Sequence, residues 1–160
     1  MESSQSLPER IALAQDTAKT IEARIVELHG ANDPEGAQAA TKSLEEMMVD
    51  LFSTFEARLQ HHFKRGPFSR KLKTRLIDAG QTDLADKLYQ FYLAINVLKH
   101  GKGASHRKLL ALSHPLIAVR SAEIGDIKPH SPSLIDVTSH RFSERLCATL
   151  LDGYHFLEAQ

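Results

Sequence analysis

The chain has 160 residues, 42% of them hydrophobic and 25% charged, with 20 basic and 20 acidic side chains that cancel to a formal net charge of zero. These proportions are those of one soluble globular domain and exclude a disordered or fibrous chain. No run of about 18 apolar residues that could span a bilayer is present.

Six prolines and eight glycines are few for this length, so long regular elements are expected. The first, over 8–29, has Pro8 and Glu9 in its first turn, where a ready-made φ and the helix dipole favour them. Its Ile11, Ala14, Ala18, Ile21, Ile25 and Leu28 alternate in steps of three and four, an apolar stripe of helical period close to a heptad seam. Gly30 is read as its stop. Asp33 then caps a longer helix opened by Pro34 and closed by Gly66-Pro67. Leu44, Met47, Met48, Leu51, Phe52, Phe55, Leu59 and Phe63 make its apolar face broad, which suits a central position in a bundle. Ser69 is placed to cap a short third helix ending at Gly80. Thr82 is placed to cap a fourth that ends at Gly101 and turns Leu84, Leu88, Phe91, Tyr92, Ile95 and Leu98 inward. A short helix over 104–113 follows. Over 116–137 the β-branched runs LIAVRS and SLIDVTS read as a small two-stranded β-hairpin or as extended coil. A last helix, about 139–157, carries Phe142, Leu146, Leu150, Tyr154 and Leu157 on one face. The expected fold is all-α: one domain, an antiparallel bundle of four main helices with short extras.

The zero net charge conceals an uneven distribution. Residues 1–60 hold eleven acids against five bases, a net −6, while 61–110 hold eleven bases against three acids, a net +8. Bases gathered on one face would attract anions. The alternative is that they pack against acidic helices of the same fold or of a second subunit. The heptad-like stripe and broad aromatic faces also raise the expectation of a homodimer. The lone Cys147 cannot form an internal disulfide, which fits a reducing cytoplasm. The first ten residues hold two acids and no apolar run, so no signal peptide is expected.

One segment stands out chemically: Asn96-x-x-Lys99-His100-Gly101-x-Gly103-x-Ser105, followed by His106 and Arg107. Asn96 and His100 lie one above the other on a helix, with Lys99 beside them. The two glycines free the backbone just after the helix, and Ser105 and Arg107 open the next. Asn96, Lys99, His100 and Arg107 are therefore expected to meet at one polar junction able to hold a phosphate, with His100 as a proton donor near neutral pH. Read structurally instead, Gly101 is a helix-ending glycine, and Lys99 and His100 complement the helix dipole.

This motif, at the end of an aromatic-rich helix, resembles the C-terminal core motif of HEPN-like helical proteins of prokaryotes, over about residues 83–112. The resemblance implies a compact helix bundle and a ligand that is RNA, a nucleotide or a partner protein. Members that cut RNA use an arginine, then a polar residue, then a histidine roughly four to six residues beyond the arginine. Asn96 matches the polar position and His100 the histidine, while the arginine position falls on Ile95. The reading that follows is a non-catalytic interaction protein in which Lys99, Gly101, Gly103, Ser105 and Arg107 bind the ligand. Its alternative is a metal-independent ribonuclease with His100 as acid/base, helped by Asn96 and by an arginine from elsewhere such as Arg107 or Arg75. No phosphate-binding loop, nucleophile elbow or dinucleotide fingerprint is present, and His61-His62 lacks the Glu-x-x-His partner of carboxylate-bridged metal sites. Neither cofactor nor metal is expected.

Overall fold

A computed structural model describes residues 5–121 and 133–160. Six α-helices follow in order: α1 (Leu7–Gly30), α2 (Pro34–Leu59), α3 (Phe68–Asp78), α4 (Thr82–His100), α5 (Ala104–Leu110) and α6 (Phe142–Glu158). A 3-10 turn (Gln60–His62) extends α2. None of the described helices is long and apolar enough to cross a membrane. The four long helices α1, α2, α4 and α6 form the bundle, with α3 and α5 laid against α4.

The helix starts show local chemistry at work. Ser6 caps α1 in a reciprocal box: its hydroxyl accepts from the Glu9 amide at 3.2 Å, and the Glu9 carboxylate accepts from the Ser6 amide at 3.3 Å. Such a cap is worth about 1 kcal/mol. Asp33 caps α2 as expected, accepting from Gly36 N–H at 3.0 Å. Gly30 is the last residue of α1 rather than its stop, and the left-handed position that turns the chain falls on Asn32 (φ 60°). Ser69 and Thr82 are not caps. Both lie inside their helices, behind Pro67 and Gln81. Ser69 instead donates to the Glu56 carboxylate of α2 at 3.4 Å.

The apolar faces are spent inside the chain. Ile11, Ala18, Ile25 and Leu28 of α1 are buried against α2 and α6. Around Phe55, rings from three elements interlock. Phe55 meets Phe68 edge-on at 5.6 Å, Phe68 meets Phe63 edge-on at 5.5 Å, and Phe52 lies 6.0 Å from Phe55. At Gly153 of α6 an added Cβ would stand 3.1 Å from the Phe55 ring, so a glycine lets α6 approach α2 closely there.

The expected hairpin is reduced to a single antiparallel bridge, Val119 to Ile135, held by Arg120 N–H to Leu134 O (2.6 Å) and Asp136 N–H to Ala118 O (3.0 Å). No strand forms among the described residues, and the connection over 122–132 lies outside them. Side chains hold the bridge. Arg120 pairs with Asp136 at 3.3 Å, and Ser133 donates to Glu45 of α2 at 2.9 Å. Burial acts to raise the Asp136 carboxyl, but hydrogen bonds from Thr138 and Ser139 outweigh it and hold the group below its usual range. The same residues lead into α6, which begins at Phe142 rather than Ser139 after two left-handed residues, His140 and Arg141.

Candidate functional site

The α4–α5 junction is built from the end of a helix packed on nearly every side. Leu88, Gln90, Phe91, Leu93, Ala94, Ile95 and Val97 of α4 are all buried, because α2, α3, α5 and α6 all pack on it. Gln90 ties the helix to the following chain. Its Oε1 accepts the Leu116 amide at 2.8 Å and its Nε2 donates to Asp86 at 3.0 Å. The helix ends where Gly101 takes φ +73° with its amide on Val97 O at 2.7 Å. A side chain there would be strained, so the glycine is what lets the chain leave the helix and re-enter α5 within three residues.

The structure brings Asn96 and Ser105 together: the half-buried Asn96 amide donates to the Ser105 hydroxyl at 3.3 Å. Lys99, His100 and Arg107 are exposed on the two helix ends that this bond joins, and Gly101 and Gly103 are half-buried. His100 has no hydrogen-bonding or ion-pairing partner among the described residues, Asn96 included. Lys99 sits close enough to Glu56 for its charge to act there. Burial pushes the Glu56 carboxyl above its ordinary value, against the opposing pull of Lys99 and the Ser69 hydroxyl. His106 turns away from this surface. It is 2% exposed, and its Nε2 meets the Arg120 carbonyl at 2.7 Å, pinning α5 to the bridge segment. Glu56 was not visible as a neighbour of the site in the sequence, since it comes from α2, distant along the chain, and the inward turn of His106 depends on a carbonyl 14 residues away.

Ile95 is 1% exposed and forms part of the core. An arginine at that position would have to bury its charge without a partner, at a cost of several kcal/mol. The exposed side chains of this segment offer an ammonium, an imidazole and a guanidinium as hydrogen-bond donors. Such a set suits phosphate oxygens. It lacks the cation that the resemblance would place directly before Asn96.

Three ion pairs occur among the described residues, Arg24–Glu27, Arg120–Asp136 and Arg141–Glu144, and a fourth contact, His62–Glu158 at 3.5 Å, is ionic only when the imidazole is protonated. None uses any of the eleven lysines and arginines of 61–110. Two of those bases lie instead over aromatic rings, Lys73 on Tyr89 and Arg75 on Phe63. The adjacent histidines form no metal cluster: among the described residues no group of three or more His, Cys, Asp or Glu could hold a metal ion.

No family model matches the chain, and no curated protein or solved structure matches it.

Proposed function

We propose that the chain is a HEPN-like helical module that binds RNA through its phosphates and does not cleave it. The observation that carries this reading is the set of eleven bases over 61–110, none ion-paired among the described residues, in a protein whose net charge is zero. Charges that folding leaves unpaired remain available to an external polyanion, and releasing condensed counterions then drives association. At the α4–α5 junction Lys99 and Arg107 take phosphate oxygens, His100 donates a hydrogen bond, and the Asn96–Ser105 bond holds the two helices in register. Ile95 in the core leaves the position directly before Asn96 without the arginine that RNA-cutting members carry there, and this supports binding without turnover.

The test is filter binding of labelled single-stranded RNA at about 50 mM salt. A Lys99→Ala, His100→Ala double variant is expected to bind roughly tenfold more weakly than the parent, while the RNA stays intact throughout the incubation. Absence of binding at low salt would leave the partner-protein reading. Cleavage abolished by His100→Ala would make the chain a ribonuclease.

A further inference from the structure

A second gathering of cations lies on the outer flank of α3, away from the α4–α5 junction. The helix reads Phe-Ser-Arg-Lys-Leu-Lys-Thr-Arg-Leu-Ile-Asp, and its Phe68, Leu72 and Leu76 are buried. On one side of that buried stripe, Ser69 and Lys73 face α2 and α4, through Glu56 and Tyr89. On the other side, Arg70, Lys71, Thr74, Arg75 and Asp78 line a groove of about 630 Å³, closed at one end by Phe63, Arg65, Gly66 and Pro67. Gly66, at φ +93°, makes the turn that folds Arg65 back toward the helix. Arg75 lies over the Phe63 ring, 4.4 Å from its centroid, which fixes one wall.

We infer that this groove is a second RNA-binding surface, in which Arg65, Arg70, Lys71 and Arg75 hold consecutive phosphates of a single strand. The inference rests on the RNA-binding reading above and extends it from one junction to a strand-length footprint. Three of the four cations are arginines, whose planar forks match phosphate oxygens. Arg65, Arg70 and Lys71 are exposed, and none of the four is in an ion pair among the described residues. The backbone amides of the first turn of α3 have no side-chain cap, so the helix dipole adds to the field at the same end. Stable protein partners commonly seat aromatic or aliphatic anchors in pockets at the centre of an interface. Here the one aromatic in the lining, Phe63, is 7% exposed and already covered by Arg75. A phosphodiester backbone needs no such anchor. Among the described residues Asp78 is the only carboxylate of the lining, at the C-terminal end of α3, so the strand's phosphates gather toward the N-terminal end.

The experiment measures binding of a fluorescent single-stranded oligouridylate of about 20 nucleotides to four proteins. These are the parent, Arg70→Gln/Lys71→Gln, Asp78→Asn, and an Arg10→Gln/Lys19→Gln control on α1. The groove variant is expected to bind roughly 30-fold more weakly at about 50 mM salt, with a log–log salt slope shallower by about 1.4, the value for two single-strand phosphate contacts. Asp78→Asn is expected to bind more tightly, and the control to match the parent. All substituted side chains are exposed, and unchanged helical circular dichroism confirms folding. A groove variant that binds as the parent does, while Lys99→Ala/His100→Ala weakens binding, overturns the groove and leaves the RNA-binding reading standing. A control that loses as much as the groove variant also overturns it, since binding would then follow total charge. A parent that binds no RNA overturns both.

Discussion

Replacing Phe55 with alanine is expected to lower the unfolding free energy by about 3–5 kcal/mol, the range for a fully buried phenylalanine. Phe55 has no exposed surface, stands edge-on to Phe68 of α3, and lies against Phe52 of its own helix. Its ring tip also faces Gly153 of α6 at a distance that leaves no room for another methyl group. Truncation therefore opens a cavity where three helices meet, and a rigid seam of aromatic rings collapses poorly into such a space. At roughly 2–4 °C per kcal/mol for a chain of this size, the melting temperature should fall by about 6–20 °C. Phe55→Leu, which keeps most of the volume, should cost roughly 1.5 kcal/mol. Denaturant unfolding followed by circular dichroism measures both, and a loss below about 1 kcal/mol for the alanine variant would contradict the packing described.

The thiol of Cys147 is expected to react with a disulfide reagent at about pH 8 at least 100-fold more slowly in the native protein than in the unfolded chain. The side chain is 1% exposed in α6. Burial, and secondarily the charge of Glu22, push its pKa up from 9.0 to about 11. The direction follows from the chemistry: the thiolate is the charged form and the nucleophile, and both causes disfavour it. Two pKa units correspond to about a hundredfold less thiolate, before any steric exclusion is counted. Native labelling as fast as that in denaturant would show that α6 does not hold the thiol in the core.

The long helices were legible because their apolar residues recur at helical spacing over four or more turns. Ile11 through Leu28 in α1 and Leu44 through Leu59 in α2 could sit on one side of a helix and nowhere else. Asp33-Pro34 marked the start of α2 for an equally local reason. The true caps of α1 and α3 were harder to place: Ser6 binds through a side chain reciprocated by Glu9, and α3 begins behind Pro67 without a side-chain cap. Gln90 was unreadable, since its partner Leu116 lies 26 residues away. The β-branched runs around Val119 and Ile135 signalled extended chain, which the single bridge partly fulfils.

At the site, the spacing of Asn96, His100 and Ser105 and the stop at Gly101 were visible in the sequence. Ile95 could be placed on the inward face from its period alone. His106 could not be told apart from its exposed neighbours, because what turns it inward is a carbonyl on a distant segment. The groove on α3 escaped notice for the same reason. Its cations were counted in the excess of eight, but only the turn at Gly66 brings Arg65 beside Arg70, Lys71 and Arg75.

The central claim, that the unpaired bases of 61–110 engage the phosphates of a polyanion, is tested most directly by the salt dependence of RNA binding to the unaltered protein. About six single-strand phosphate contacts, two at the junction and four in the groove, give a log–log slope near −4. Affinity for the oligouridylate should accordingly fall roughly 300-fold between about 50 and 200 mM salt. Binding that is absent at the lower concentration, or that changes by less than about twofold across the range, would contradict the claim.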